Sequence, residues 1–421
     1  MKFFMLFLVF AMCSFGKDAT MEIVKYMNKA PKVILEDGTN NDFSDAFKMR
    51  FFKMMIGDLK VTTHFNPIEK YIRASYEMDP ILTFGDFRPN LVIQYKLEKF
   101  DGNKILARVR VVNAATKQMQ SQRTYRISDA KSYPFLSHNI VCDINDELGA
   151  PSVDWMKKYV LIARNVGHKE SQIDLADYTL TFNKPVVKGG LNLFPKWADA
   201  RQSRFYYTSY SDREPTLYEV DLKSGHKRKI LSSQGMLVVS DVSDDGRYLL
   251  LTMAPHGQPD IYRLDTRSGA KKQITFYKGI DVNGGFVDGD KKIVFVSDRL
   301  GYPNVFSKKI HSRSVEQMIY RGRNNNAVSS HGNYIVYSSR DKASEFGSST
   351  FNLYLISTKT EYIRQLTATG KNLFPRFSKD GQSIAFIKSY GAKSALGIIR
   401  LSENKTFHFP LQVGKIQSID W

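Results

Sequence analysis

The sequence predicts an α/β N-terminal domain followed by an all-β propeller of six blades, closed by the C-terminal strand. Three observations carry this expectation. A worn unit recurs through the last two-thirds of the chain, the stretch before residue 150 lacks that period, and the chain ends just where a new unit begins.

The unit is most complete at Asn372-Leu373-Phe374-Pro375-Arg376-Phe377-Ser378-Lys379-Asp380-Gly381. It returns as Asn192-Leu193-Phe194-Pro195-Lys196-Trp197-Ala198, and more faintly around Val242-Ser243-Asp244-Asp245-Gly246, Phe286-Val287-Asp288-Gly289 and Val328-Ser329-Ser330-His331-Gly332. The apolar anchors Trp197, Val242, Phe286, Val328, Phe377 and Trp421 fall roughly 42 to 49 residues apart, the length of a propeller blade.

Each unit reads as four short strands. The anchor strand leads into an Asp-Gly or Gly-containing turn, which tolerates the positive φ of a tight hairpin. A second, apolar strand follows: Arg204 to Thr208, Tyr248 to Thr252, Lys292 to Val296, Tyr334 to Tyr337 and Ser383 to Ile387. Polar loops come next at Ser211-Asp212-Arg213, Ser297-Asp298-Arg299 and Ser339-Arg340-Asp341. Third strands such as Leu217 to Val220 and Leu353 to Ile356 precede short fourth strands at Gln273 to Thr275 and Gln365 to Thr367. The last anchor, Trp421, has no strands after it, while Tyr159 to Ala163 lacks a first strand before it. Pairing these two ends completes the sixth blade and removes an exposed sheet edge.

The N-terminal part divides into a leader and a mixed domain. Met1-Lys2, an apolar run from Phe3 to Met12 and Ser14-Phe15-Gly16 have the form of a secretory signal over 1–16. The run is short for a bilayer span, so export of a mature chain beginning at Lys17 is expected. Asp42 to Lys60 reads as a helix, capped by Asp42 or Ser44, with Phe43, Phe47, Phe51, Met54 and Met55 on a core face. Leu91 to Phe100 and Ile105 to Val112 read as a hairpin across Asp101-Gly102-Asn103, with Gln122 to Ile127 as a third strand. His138 to Leu148 reads as a second helix. Gly149-Ala150-Pro151 stops it and places the domain boundary between 17–150 and 151–421. Cleavage after Gly16 leaves Cys142 as the sole thiol, expected as a small buried side chain on that helix.

Charge and motifs narrow the function. The chain carries 61 lysines and arginines against 42 acidic residues, a net +19. Residues 17–150 hold 20 against 17, and 151–421 hold 40 against 25, so the excess sits on the repeat. A basic surface attracts nucleic acid, anionic lipid or an acidic protein. The densest run, His226-Lys227-Arg228-Lys229, is short and lacks interleaved stacking aromatics, which argues against nucleic acid. The eight histidines form no HExxH or HxxH pair, and there is no CxxC, GxSxG elbow or Walker loop. No catalytic residue, metal or cofactor is therefore assigned. Three readings stay open: a protein-binding scaffold, a module for an anionic envelope glycan, and a hydrolase or lyase with a site spread over several blades.

The chain resembles the TolB family, periplasmic components of the Tol–Pal envelope system. The resemblance rests on Pro375-Arg376-Phe377-Ser378-Lys379-Asp380-Gly381, the Gly322-Arg323-Asn324-Asn325 junction, and the order signal, α/β domain, six units, lone closing strand. Val242, Gly285-Phe286 and Val328 depart from the family's Pro-x-Trp at those units. The resemblance implies a non-enzymatic periplasmic scaffold, peripheral to membranes and supporting outer-membrane constriction at division. Its propeller would bind the peptidoglycan-associated lipoprotein Pal, and its mature N-terminus, Lys17-Asp18-Ala19-Thr20-Met21-Glu22-Ile23, would reach the inner-membrane partner TolA. The loops joining one blade to the next open on one propeller face. They place Asn192, Gln234, Gly235, Met236, Gly279, Ile280, Asp281, Arg323, Asn324, Gly370 and Asn372 there. Met236 and Ile280 are apolar among polar neighbours, the pattern of partner anchors or of packing under adjacent loops. Arg323 would add a charged contact to an acidic partner.

Overall fold

The computed structural model describes residues 30–40, 42–81, 85–341, 350–360 and 362–421. The expected signal over 1–16 and the tail Lys17–Ile23 lie outside the described residues.

The N-terminal part is a mixed sheet backed by two helices. Strand β1 (Lys32–Asp37) leads to helix α1 (Asp45–Thr62), then to β2 (Asn66–Pro67), β3 (Ile72–Arg73), β4 (Leu91–Phe100), β5 (Lys104–Asn113), β6 (Met119–Ile127) and helix α2 (Tyr133–Glu147). The strand order is β2-β1-β4-β5-β6, with β3 also on β1. The hairpin β4–β5 turns at Asp101 and Gly102, both at positive φ, and its register runs from Leu91↔Asn113 to Phe100↔Lys104. Strand β1 carries no periodic signal in the sequence. It runs parallel to β4 and its Val33-Ile34-Leu35 core is buried on both faces, so it shows no alternation. Helix α1 starts at Ser44, whose Oγ accepts the Phe47 N–H at 3.3 Å, rather than at Asp42. Phe51, Phe52, Met55 and Leu59 pack on Leu35, Ile93 and Tyr95 and on Leu136 and Ile140 of α2; Met54 only flanks this stripe. Helix α2 begins at Tyr133, earlier than His138, because Pro134 suits a first helical turn. Cys142 is buried there, its Sγ 3.3 Å from the Val153 carbonyl.

The rest is a series of antiparallel meanders. The first holds β7 (Val160–Gly167), β8 (Glu170–Ala176) and β9 (Asn183–Val187). The second is β10 (Asn192–Trp197), β11 (Arg204–Ser209), β12 (Thr216–Asp221) and β13 (Lys227–Ser232). The third is β14 (Leu237–Val242), β15 (Tyr248–Met253), β16 (Asp260–Asp265) and β17 (Lys271–Gln273). The fourth is β18 (Asp281–Val287), β19 (Lys292–Ser297), β20 (Asn304–Lys309) and β21 (Glu316–Gln317). Then come β22 (Arg323–His331), β23 (Tyr334–Asp341), β24 (Thr350–Ser357) and β25 (Ile363–Gln365), and β26 (Lys371–Phe377), β27 (Ser383–Tyr390), β28 (Lys393–Arg400) and β29 (Lys405–Pro410). These last two runs share one eight-stranded sheet through the single parallel pair Phe351↔Lys371. The final strand, β30 (Lys415–Asp420), pairs antiparallel with β7, placing Ile419 opposite Ile162.

Successive sheets pack face to face. Leu161, Ala163 and Ile173 meet Trp197, Phe205 and Tyr207, and the next interface joins Tyr206 and Leu217 to Val239, Leu249 and Leu251. First strands are stitched side chain to backbone. The Trp197 N–H donates to Asp420 Oδ2 at 2.8 Å, the Phe286 N–H to Asp241 Oδ2 at 2.8 Å, and the Phe377 N–H to Ser329 Oγ at 3.3 Å. Trp421 does not sit as Trp197 does. It is half-buried and meets Trp155 edge-on, with ring centroids 5.1 Å apart.

Two further expectations shift. The fourth strands end at Gln273 and Gln365, before Thr275 and Thr367, because those threonine hydroxyls accept the Ile261 and Leu353 N–H groups at 2.9 Å in place of ladder carbonyls. Ser339-Arg340-Asp341 is strand rather than loop, since β23 runs on to pair with Thr350–Asn352 of β24.

Candidate functional site

A four-stranded meander has two ends. The turns from first to second strand lie at one end. The loops from second to third strand share the other end with the junctions to the next meander. The first end faces the N-terminal part. There Ser152, Trp155 and Lys158 line a cavity of about 580 Å³ together with Ala198–Ala200, Gln202, Asp244–Gly246, His331 and Lys379. At its floor Lys196 Nζ lies 3.0 Å from Asp420 Oδ1 and 3.3 Å from Asp241 Oδ1, with Arg376 Nε 3.6 Å from Asp420. An ammonium thus occupies the space between the two carboxylates. Among the described residues, no group of three or more His, Cys, Asp or Glu is arranged to hold a metal ion.

The junction loops therefore form the outer end. They are held firmly, each pinned to a second-to-third loop or a third strand of an adjoining meander. The Ser171 N–H donates to Gly190 O at 2.9 Å, Ala254 N–H to Met236 O at 2.9 Å, Ile280 N–H to Asp298 Oδ1 at 2.7 Å, Asn325 N–H to Pro303 O at 3.0 Å and Phe351 N–H to Gly370 O at 2.9 Å. Close approach explains two glycines. A Cβ on Gly235 would stand 2.2 Å from Ala254 O, and one on Gly279 would stand 2.3 Å from Asp298 Oδ1.

The predicted residues separate into two groups. Asn192, Asp281 and Asn372 are buried and internally bonded. Asn192 Nδ2 donates to Gly189 O at 2.8 Å and Ser171 O at 3.1 Å. Asn372 Nδ2 donates to Phe351 O at 2.9 Å, and to Thr369 O and Thr367 Oγ1 at 3.0 Å each. Asp281 holds Arg299 Nη2 at 3.0 and 3.2 Å. Asn324 is half-buried at φ 62°, where asparagine is tolerated. The residue that latches this junction is its neighbour Asn325 of the Gly322–Asn325 motif; its Nδ2 donates to Asn304 Oδ1 at 2.9 Å and Arg321 O at 3.1 Å. Arg323 opens β22, and its side chain lies outside the described residues.

The second group is exposed. Gln234 and Gly370 are open to solvent, Met236 is 45% exposed and Ile280 46%. Three large apolar side chains that the sequence did not single out join them on this end: Phe276, Leu300 and Tyr320. Lys388 braces one junction from below, donating to Thr369 O at 2.6 Å, and burial pushes its pKa down. The geometry offers a rigid, uneven surface with apolar knobs. It suits recognition of a macromolecular partner.

The comparisons agree with this architecture. The family model described as the TolB beta propeller domain matches residues 157–421. A Tol-Pal system protein TolB from Wolinella succinogenes is 47% identical over 412 residues, covering 97% of each chain. One from Campylobacter jejuni is 47% identical over 422 residues, covering 100% of each. The crystal structure of TolB from Acinetobacter baumannii superposes with a TM-score of 0.73 at 20% identity, covering 93% of this chain and 97% of that one, which shows a shared fold. Among the described residues, no helix is long and apolar enough to cross a membrane. By its propeller model and by its full-length identity to these relatives, the chain belongs to the family of Tol-Pal system protein TolB.

Proposed function

We propose that the chain is a non-enzymatic periplasmic scaffold of the Tol–Pal system, built from a signal over 1–16, an α/β domain over 17–150 and a propeller over 151–421. The six anchors, the five sheets and the pairing of β30 with β7 support a six-bladed ring closed by the C-terminal strand. In this reading the junction-loop face takes the lipoprotein Pal, and the tail Lys17–Ile23 takes TolA. The scaffold thereby supports outer-membrane constriction at division. The observation that carries the reading is the exposure of Met236 and Ile280 on junction loops that are themselves held, Met236 O by the Ala254 N–H and the Ile280 N–H by Asp298 Oδ1. Rigid loops lose little entropy on binding, so apolar anchors on them contribute most of their burial to affinity. Cross-linking in intact cells followed by purification of the tagged chain tests it. Pal and TolA in the eluate are expected. Recovery of polysaccharide without either protein would favour the glycan-binding reading instead.

A further inference from the structure

Five loops of the outer end form one continuous arc. Loop 234–236 is bonded to loop 254–259 through Met236 O and the Ala254 N–H. Gln258 Nε2 donates to Tyr277 O, which carries the arc to loop 276–280. Ile280 and Asp298 then join it to loop 298–303, and Pro303 and Asn325 join that to loop 320–322. Phe276 is 74% exposed and Tyr320 70%, and Met236, Ile280 and Leu300 stand out between them. Single exposed apolar side chains are ordinary, but five on connected loops of one sector make a patch.

The exposed charged side chains of these loops are cationic. Lys278 and Arg321 are exposed within the sector. Its carboxylates are already engaged: Asp298 accepts the Ile280 N–H, and buried Asp281 is paired with Arg299. Arg299 itself is fixed over the Tyr277 and Phe306 rings, with its guanidinium carbon 5.1 and 4.8 Å from their centroids. The arc thus presents apolar knobs in a positive field, with no exposed carboxylate in these loops.

Resting on the docking reading above, we infer that the partner binds this sector, and that its contact surface is acidic around an apolar centre. Opposite charge steers encounter and fixes orientation, while the buried apolar side chains set the lifetime of the complex. The recognised class is an acidic protein surface.

The test uses the full mature chain and the purified soluble domain of the same organism's Pal, with affinity measured by calorimetry at low and at physiological salt. Lys278→Glu with Arg321→Glu reverses charge in the arc. Lys188→Glu with Lys393→Glu reverses it on the other side of the same end. All four are exposed, and circular dichroism verifies folding. The arc variant is expected to bind about tenfold or more weakly and to lose most of the salt dependence, with the control near parental affinity. Equal losses in both variants, or an unchanged arc variant, would overturn the sector assignment while leaving the docking reading in place. No binding by the parent chain would overturn the docking reading, and the arc with it.

Discussion

His138 Nε2 lies 3.2 Å from Asp177 Oδ2, so a fully buried imidazole on α2 reaches across to the loop that follows β8. Its other nitrogen, Nδ1, lies 2.9 Å from Asp58 Oδ2 on α1. Both ring nitrogens face carboxylate oxygens, so both must donate, and the ring carries a charge. Asp58 also accepts from Ser137 Oγ at 2.5 Å and from Tyr178 OH at 2.5 Å, and Asp177 from the Phe182 N–H at 2.6 Å. Phe135 packs beside this cluster against Tyr159 and Phe182. The N-terminal helices α1 and α2 therefore meet the propeller through an ionic cluster flanked by aromatic rings.

This joint predicts a pH dependence. Burial alone would lower the His138 pKa. The Asp58 charge and the bonds to both carboxylates overcome that and raise it to about 9. A raised folded-state pKa gives stability that is complete below the ordinary imidazole value near 6.5 and is lost as pH rises through about 9. The unfolding midpoint should fall between neutral pH and pH 9.5. His138→Gln should be less stable at neutral pH by about 3–5 kcal/mol, as for a broken buried pair, and should show a flatter profile. Parallel slopes for the two proteins would mean that another group sets the dependence.

The C-terminal strand predicts a cooperative loss. Ile419 is buried opposite Ile162, and Asp420 ties Trp197 and Lys196 to the end of the chain. Ile419→Ala should cost about 2–5 kcal/mol in denaturant titration. Removing Lys415–Trp421 should cost more, because it also bares the β7 edge. Trp421→Ala should cost less than a fully buried tryptophan would, since its ring is half-buried against Trp155.

The junction latches predict stability effects without direct effects on binding. Asn372→Ala leaves Phe351 O and Thr369 O without their amide donor and should destabilise by about 1–3 kcal/mol. The folded fraction should still bind with parental affinity, because the amide faces inward. Lower affinity at full folding would show that this latch shapes the docking surface.

How much of this was legible in the sequence follows from which constraints are local. The period could be read because Trp197, Phe286 and Phe377 fill the same place in alternate meanders, and their N–H groups are met by Asp420, Asp241 and Ser329. The β4–β5 hairpin could be read because Asp101-Gly102 is itself the turn. Strand β1 is short and buried on both faces, so it offers no period to detect. Asn325 was hidden in a run of three asparagines, where only the β22 register shows which one latches the junction. Phe276 and Tyr320 sit beside the buried Ile274 and Ile319, and Leu300 follows the apolar strand β19, so only the fold shows that the chain has left the core at these three. The cluster of Asp58, His138 and Asp177 joins residues far apart along the chain, so no spacing announces it.

The docking face proposed for Pal is the junction-loop end. Calorimetric titration of Pal's soluble domain into the parent, Met236→Ala and Ile280→Ala proteins tests it most directly, with circular dichroism on the same samples. Interface anchors of this kind contribute about 1–2 kcal/mol or more each, so each variant should bind roughly five- to thirtyfold more weakly while remaining folded. Parental affinity in both variants would contradict the account and move the site to the opposite end of the propeller or to the N-terminal domain.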